Sequence, residues 1–458
     1  MPRLVAALAL ATLAPLPATA GEQAELFAET FVRGWTIVAE THFDADLNGV
    51  DWQAVRDELE PRARAASDAD ALREVLDEMV GRLGQSHFEF ITSGSWSDDL
   101  PGDEPDLPAG CTPAAHRTLV DRLEAPAAGD ATGGLELRIL GDDVVVERIV
   151  PESAAAERRL RPGWALLRVD GLDVASVLPC FDQFREPTLR QQIEDGWLAS
   201  LLRGAPGSLT DLVLETGSGR TKAVALERRP PPGDIVAFGN LPATRTHFTV
   251  DWTESPAGGR VAILRFNIWL LPIAAAVERA MPELRQADGL VFDLRGNPGG
   301  IAAIAQGVAS HFVSERASLG TLKSRRNALE LVVQPRIVDR SGARVEPFSG
   351  PIAILIDGGS ASTSEVFAAG MHDIGRAVLF GEPSAGAALP AIMDRLPNGD
   401  LFLHATMDYI RPDGTRVEGA RIQPDVLVIP TRRDFLEDRD PILVAALSWL
   451  DRHDEPSP

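Results

Sequence analysis

The apolar positions change period along the chain. Over residues 22–85 they recur at threes and fours in three runs, AELFAETFVRGWTIVAETHF, VDWQAVRDELEPRARAAS and ADALREVLDEMVGRLG, separated by short polar breaks. That spacing predicts an antiparallel helical subdomain, bounded here at 22–95. Residues 96–131 are rich in Gly, Pro, Asp and Ala and read as a linker carrying one short helix near 116–123. Residues 133–229 then take strand periodicity in GGLELRIL, DVVVERIV, GWALLRVDGLDV, DLVLETGSG and KAVALERR. Within this β-rich unit, 175–207 reads as an insertion with one helix at 190–202. From 258 onward strands and helices alternate: RVAILRFNIW, a helix near 273–285, GLVFDLRGNPGG, a helix near 301–312, and the apolar run 352–356. Alternation of this kind predicts an α/β core over 258–435, followed by a C-terminal helix and tail at 436–458.

The densest chemistry lies where the run 352–356 ends. Gly358 and Gly359 break it, helical spacing resumes over 365–372, and SASTSE fills the turn between them. A serine on a strand-to-helix turn is exposed for attack, and the free N–H groups at the helix start can stabilise the oxyanion that attack creates. Ser362 is the leading nucleophile candidate. The same residues also fit helix capping, because Ser360, Ser362, Thr363 and Ser364 are good N-caps and Glu365 completes a capping box. In GLVFDLRGNPGG a strand at 290–294 runs into Gly296, Gly299 and Gly300. No Lys-Ser/Thr follows and no GxGxxG spacing is present, so the segment fails as a phosphate loop and fits either an oxyanion wall or a tight packing turn.

Composition narrows the class. A chain of 458 residues, 45% hydrophobic, is long enough for two or three packed domains. Residues 1–20 read as a secretory signal, with Arg3, an apolar stretch at 4–16 and a small-residue cleavage site ending at Ala20. The expected location is therefore outside the cytoplasm, periplasmic or secreted, with no membrane span. A net charge of −23 argues against nucleic acid as a partner. Cys111 and Cys180 permit one disulfide in an oxidising compartment, and sequence leaves open whether they meet. Eight scattered histidines without HExxH or CxxC give no metal site, and no cofactor is expected. Only Lys222 and Lys323 stand against 42 arginines, which limits any lysine-based mechanism.

Taken together, DLRGNPGG, then GGSASTSEVFAAGMHDIGRAVLFGEPSAG, with LGQSHFEF ending the helical region and VEGARIQPDVLV near the C-terminus, resemble the S41 peptidases. That family holds the tail-specific processing proteases and the tricorn core proteases. The unit at 133–229 resembles a PDZ domain, in which Gly134-Leu135-Glu136-Leu137 matches the loop that receives a peptide carboxylate. The resemblance implies a crotonase/ClpP-like α/β core with an N-terminal helical subdomain and an inserted PDZ domain. It makes Ser362 the nucleophile of an exported serine endopeptidase acting on proteins or peptides, reading substrate C-termini through the PDZ unit. Where the tail-specific branch carries its lysine base, 25 residues after the nucleophile, this chain has Ala387. The tricorn-like branch instead uses a serine-histidine pair and a distant glutamate, here Ser86, His87 and Glu418, with oxyanion donors at the Gly299 and Thr363 N–H groups. The bland readings stand beside these: His87 and Ser86 as local caps, Glu418 as a turn residue, and His372 with Asp373 as either orienting or structural. Two other functions stay open: a non-catalytic peptide-binding protein, favoured by the missing lysine, and a hydrolase of small esters or lipids. Movement of the PDZ unit would be one way to open or assemble the site.

Overall fold

The computed structural model describes residues 20–91, 107–124, 129–185, 187–238 and 241–452. The signal-like residues 1–19 and much of the linker lie outside them. Among the described residues no helix is long and apolar enough to cross a membrane.

The α/β core is built on a six-stranded sheet in the order Phe248–Glu254, Arg260–Phe266, Gly289–Asp293, Ile352–Ile356, Val378–Gly381, Val426–Leu427. The first pair is antiparallel and the others parallel. Strands buried on both faces must be apolar throughout, and Ile352–Ile356 is buried at every position. Helices Leu271–Leu284, Ala302–Ala309 and Thr363–Asp373 cover one face around Phe292, Ile354 and Phe367, and Pro441–Leu450 covers the other around Val291 and Leu355. This arrangement sets Asn297–Gly300 and the turn after Ile356 side by side at the C-terminal ends of adjacent parallel strands, where open α/β sheets place their sites.

At the N-terminus, helices Ala20–Thr41, Trp52–Arg64 and Ala69–Gly81 pack around Phe31, Leu59 and Leu76, the last two helices being capped by Asp51 and Asp68. Their core is completed from far along the chain. Strand Phe88–Ile91 pairs antiparallel with Leu401–Ala405, which pairs with Ala391–Arg395, so Phe88 lies opposite His404 and Phe90 stacks on Phe402. The helical region is thus sealed by a hairpin from the α/β half.

The β-rich unit runs Leu135–Leu140, Asp143–Ile149, Ala165–Val169, Leu209–Glu215, Thr221–Glu227, all antiparallel, with Leu135–Leu140 at the edge. Helix Pro187–Leu202, read from sequence as part of an insertion, belongs to this unit's core: Ile193, Trp197 and Leu201 are fully buried with Leu212 and Leu214. Cys111 and Cys180 meet as a disulfide with their Cα atoms 4.8 Å apart. Arg138 of the edge strand pairs with Glu382 and Asp357 of the α/β core, and Arg432 pairs back to Asp143 and Glu215.

Candidate active site

Four hydroxyls crowd the turn between Ile356 and helix Thr363–Asp373, and three of them are structural. Ser360 donates to Leu294 O (2.8 Å), Thr363 to Gly300 O (2.7 Å), and Ser364 to Asn297 O (3.0 Å) while accepting the Trp269 indole N–H (2.9 Å). These bonds fasten the turn to the neighbouring Leu294–Gly300 segment. The Ser362 hydroxyl donates to no partner among the described residues. Ser362 sits at the N-cap of the helix with φ 52° and ψ −117°, a strained conformation for a residue with a Cβ. Its N–H donates to Ala387 O (2.8 Å) and to the Glu365 carboxylate (3.1 Å). The capping box and the half-buried serine therefore coexist: Glu365 braces the Ser362 backbone, and the hydroxyl proton is left without an acceptor among the described residues.

Gly299 has φ 102°, and a Cβ there would lie 2.6 Å from Ser362 Cβ and 2.9 Å from Thr363 N. Only glycine lets the two backbones approach this closely. The Thr363 N–H, at the first turn of its helix, finds no acceptor among the described residues, as expected of a helix N-terminus. The Gly299 N–H differs: it donates to Asn297 Oδ1 at 3.0 Å. Of the two donors expected from sequence, one is free and the other is held by a buried amide.

Ser86, His87 and Glu418 form one hydrogen-bonded chain. Both the N–H and the hydroxyl of Ser86 donate to Glu418, at 2.8 and 3.0 Å, and Ser86 Oγ lies 2.7 Å from His87 Nδ1. Since the Ser86 proton points to the carboxylate, Ser86 Oγ accepts from Nδ1–H, which leaves Nε2 of the neutral ring unprotonated and basic. Burial pushes the His87 pKa down to about 4, so the ring is neutral at ordinary pH. Burial also raises the Glu418 carboxyl, against the opposing pull of the Ser86 donors. His87 has φ 61° and immediately precedes strand Phe88–Ile91, whose pairing with Leu401–Ala405 carries it across the molecule.

The two halves meet on residues 384–388. Ala387 O accepts from Ser362 N–H, and the next N–H along, that of Ala388, donates to Glu418 Oε2 at 3.1 Å. No direct hydrogen bond joins the His87 ring to the Ser362 hydroxyl in this structure. Neither lysine belongs here: Lys222 donates to Arg158 O over the Trp164 ring, and Lys323 lies opposite Asp408 and Ala328 in a separate sheet. His372 bridges Asp373 and Asp425, with Arg411 on the far side of Asp373, and ties the helix end to the sheet without touching Ser362. Glu365, read from sequence only as a cap, is fully buried beneath the turn and gathers four donors. Its signal was the Ser-x-x-Glu spacing; its second set of partners, from 384–387, left none.

In the β-rich unit, Gly134 has φ 83° and abuts Ser153, where a Cβ would collide at 2.1 Å. Leu135, Glu136 and Leu137 follow on the edge strand, which among the described residues has no partner strand on its outer side; helix Pro187–Leu202 packs nearby. Thr188 at the start of that helix donates to Ala385 O (2.6 Å), reaching the same 384–388 segment.

Residues 259–428 match the profile of peptidase family S41, and residues 23–81 that of the tricorn protease C1 domain. The chain is 26% identical over 428 residues to a chloroplastic C-terminal processing peptidase of Tetradesmus obliquus, covering 91% of this chain and 80% of that protein. It is 21% identical over 406 residues to a carboxyl-terminal-processing protease of Picosynechococcus sp., covering 87% and 83%. Among solved structures, the photosystem II D1 C-terminal processing protease superposes with a TM-score of 0.51 at 22% identity, covering 92% of this chain and 98% of that one. Mature CPAF superposes with a TM-score of 0.58 at 13% identity, covering 95% and 99%.

Proposed function

We propose that this chain, which is a serine-type peptidase of family S41, is an exported endopeptidase that uses Ser362 as nucleophile and His87 as general base on a crotonase/ClpP-like core. The observation that carries this reading is the unbroken link from Ser362 N–H through Ala387 and Ala388 to Glu418, Ser86 and His87.

In the reaction, His87 Nε2 takes the Ser362 proton as the hydroxyl oxygen attacks the scissile carbonyl carbon. The tetrahedral oxyanion is met by the Thr363 N–H and by the Gly299 N–H once Asn297 releases it. Ser86 and Glu418 hold the ring in the Nδ1–H tautomer and stabilise the imidazolium. His87 then returns the proton to the leaving amine, and water completes the cycle on the acyl-enzyme. The missing His87–Ser362 bond is of the kind that tightens when substrate fills the site.

The β-rich unit acts as a PDZ domain in this reading, with Gly134, Leu135, Glu136 and Leu137 receiving a C-terminal carboxylate and the open edge strand pairing with the chain behind it. The contact of Thr188 with Ala385 supports a unit whose position reports to the site. The Cys111–Cys180 disulfide supports an oxidising location. Turnover of an unstructured polypeptide by the wild type, and its loss in Ser362→Ala, tests the proposal. Ester hydrolysis without peptide cleavage would favour the small-substrate hydrolase, and neither activity would favour the binding protein.

A further inference from the structure

Glu365 is fully buried and its carboxylate is saturated by donors. Oε2 accepts from Ser362 N–H (3.1 Å) and Ala387 N–H (3.0 Å), and Oε1 from the Ser384 hydroxyl (2.5 Å) and Gly386 N–H (2.8 Å). An ionised carboxylate offers about four lone-pair sites and no proton, so this donor set fits the charged form alone. No arginine, lysine or histidine pairs with Glu365 among the described residues. The charge is held by oriented dipoles, including the N-terminus of its own helix.

What these donors belong to gives the group its role. Ser362 N–H fixes the turn that carries the nucleophile. The N–H groups of Gly386 and Ala387 fix the segment whose next residue, Ala388, holds Glu418 and through it Ser86 and His87. One buried carboxylate thus sets the register between the nucleophile and the chain that orients the base. In the position where the tail-specific pattern has a lysine side chain, this chain has Ala387, whose backbone does the joining.

We infer that Glu365 is a positioning residue whose ionised carboxylate keeps Ser362 and the 384–388 segment in catalytic register, so that its protonation switches turnover off. The inference rests on Ser362 being the nucleophile. A protonated Glu365 must turn a hydroxyl toward one of its four donors, and only the Ser384 hydroxyl can rotate to accept; it already accepts the Ile422 N–H. Burial pushes the Glu365 carboxyl up to about 7, against the pull of its donors. The titratable and charged groups around it are few. The buried Tyr409 phenol faces it from strand Asp408–Ile410, and Arg421 lies behind 384–388, bonded to the carbonyls of Ser384 and Pro383. Glu418 and His87 lie beyond Ala388.

The test is kcat and KM of the full chain against an unstructured peptide, from about pH 5 to about pH 9. Wild type should lose kcat below about pH 7 with little change in KM. Glu365→Gln, uncharged at every pH and presenting an amide to N–H donors, should lower kcat about 100-fold, leave KM within about 3-fold, and show no limb near pH 7. Ser384→Ala removes one donor to the carboxylate and should move the limb to higher pH. Survival of the limb in Glu365→Gln, or a limb that stays put or moves to lower pH in Ser384→Ala, overturns the inference; the Ser384 arm decides if Glu365→Gln does not fold. Undiminished turnover in Ser362→Ala would instead overturn the reading on which it rests.

Discussion

The carbonyl of Ala387 accepts the Ser362 N–H at 2.8 Å, at the sequence position where tail-specific proteases carry a lysine. A residue that would have supplied the base by its side chain supplies a backbone bond, and Ala388 beside it reaches Glu418. The base expected on this geometry is His87, delivered by the pairing of Phe88–Ile91 with Leu401–Ala405.

His87 should titrate far below an ordinary histidine. Its pKa is lowered by burial, so the neutral form persists until the pH falls to about 4, and the ring is a competent base across the range where an exposed imidazole near 6.5 would protonate. The ring proton shifts of His87, assigned by comparison with His87→Ala, should show a midpoint near 4. In the kinetics, the acid limb remaining in Glu365→Gln should move toward the same value.

Glu418→Ala should lower kcat by on the order of 10³-fold with KM nearly unchanged, because it frees Ser86 to turn its proton toward the ring and removes the charge that stabilises the imidazolium. Ser86→Ala should lose activity in the same direction. Combining the two should cost much less than the product of the single losses, since both act through the His87 ring.

Gly299→Ala should disable the enzyme while leaving every side chain of the proposed machinery chemically unchanged. The added Cβ falls 2.6 Å from Ser362 Cβ in a backbone with φ 102°, so either the nucleophile turn or the glycine segment must move. A shift of about 1 Å at the reacting groups costs about 100-fold in kcat. Single-turnover kinetics with an activated ester would read that loss in acylation.

Replacing Cys111 and Cys180 by Ala should destabilise the β-rich unit by about 4 kcal/mol, the chain-entropy value for a loop of this size. The two cysteines are 69 residues apart and both are buried. Denaturant unfolding with and without reductant should show this loss in wild type and no reductant effect in the double variant.

The core strands and helices were legible because burial on both faces demands unbroken apolar runs such as IAILI and the LVF of 290–292. The Ser362 turn was legible from its glycine and serine spacing. Helix Pro187–Leu202 was read as part of an insertion, yet its Ile193, Trp197 and Leu201 close the core of the unit it interrupts. The meeting of Ser86 and His87 with Glu418 depends on strands some 300 residues apart and has no local pattern; only the family resemblance pointed to it. Backbone donors leave no side-chain signature, so the hold of Asn297 on the Gly299 N–H and the second set of Glu365 partners emerged only from the folded chain.

The most direct measurement is labelling by a fluorophosphonate, with the modified residue located by peptide mass spectrometry. Wild type should be labelled on Ser362, His87→Ala should react on the order of 10³-fold more slowly, and Ser362→Ala should not label. Equal labelling rates in wild type and His87→Ala, or a label that persists in Ser362→Ala, would contradict the account.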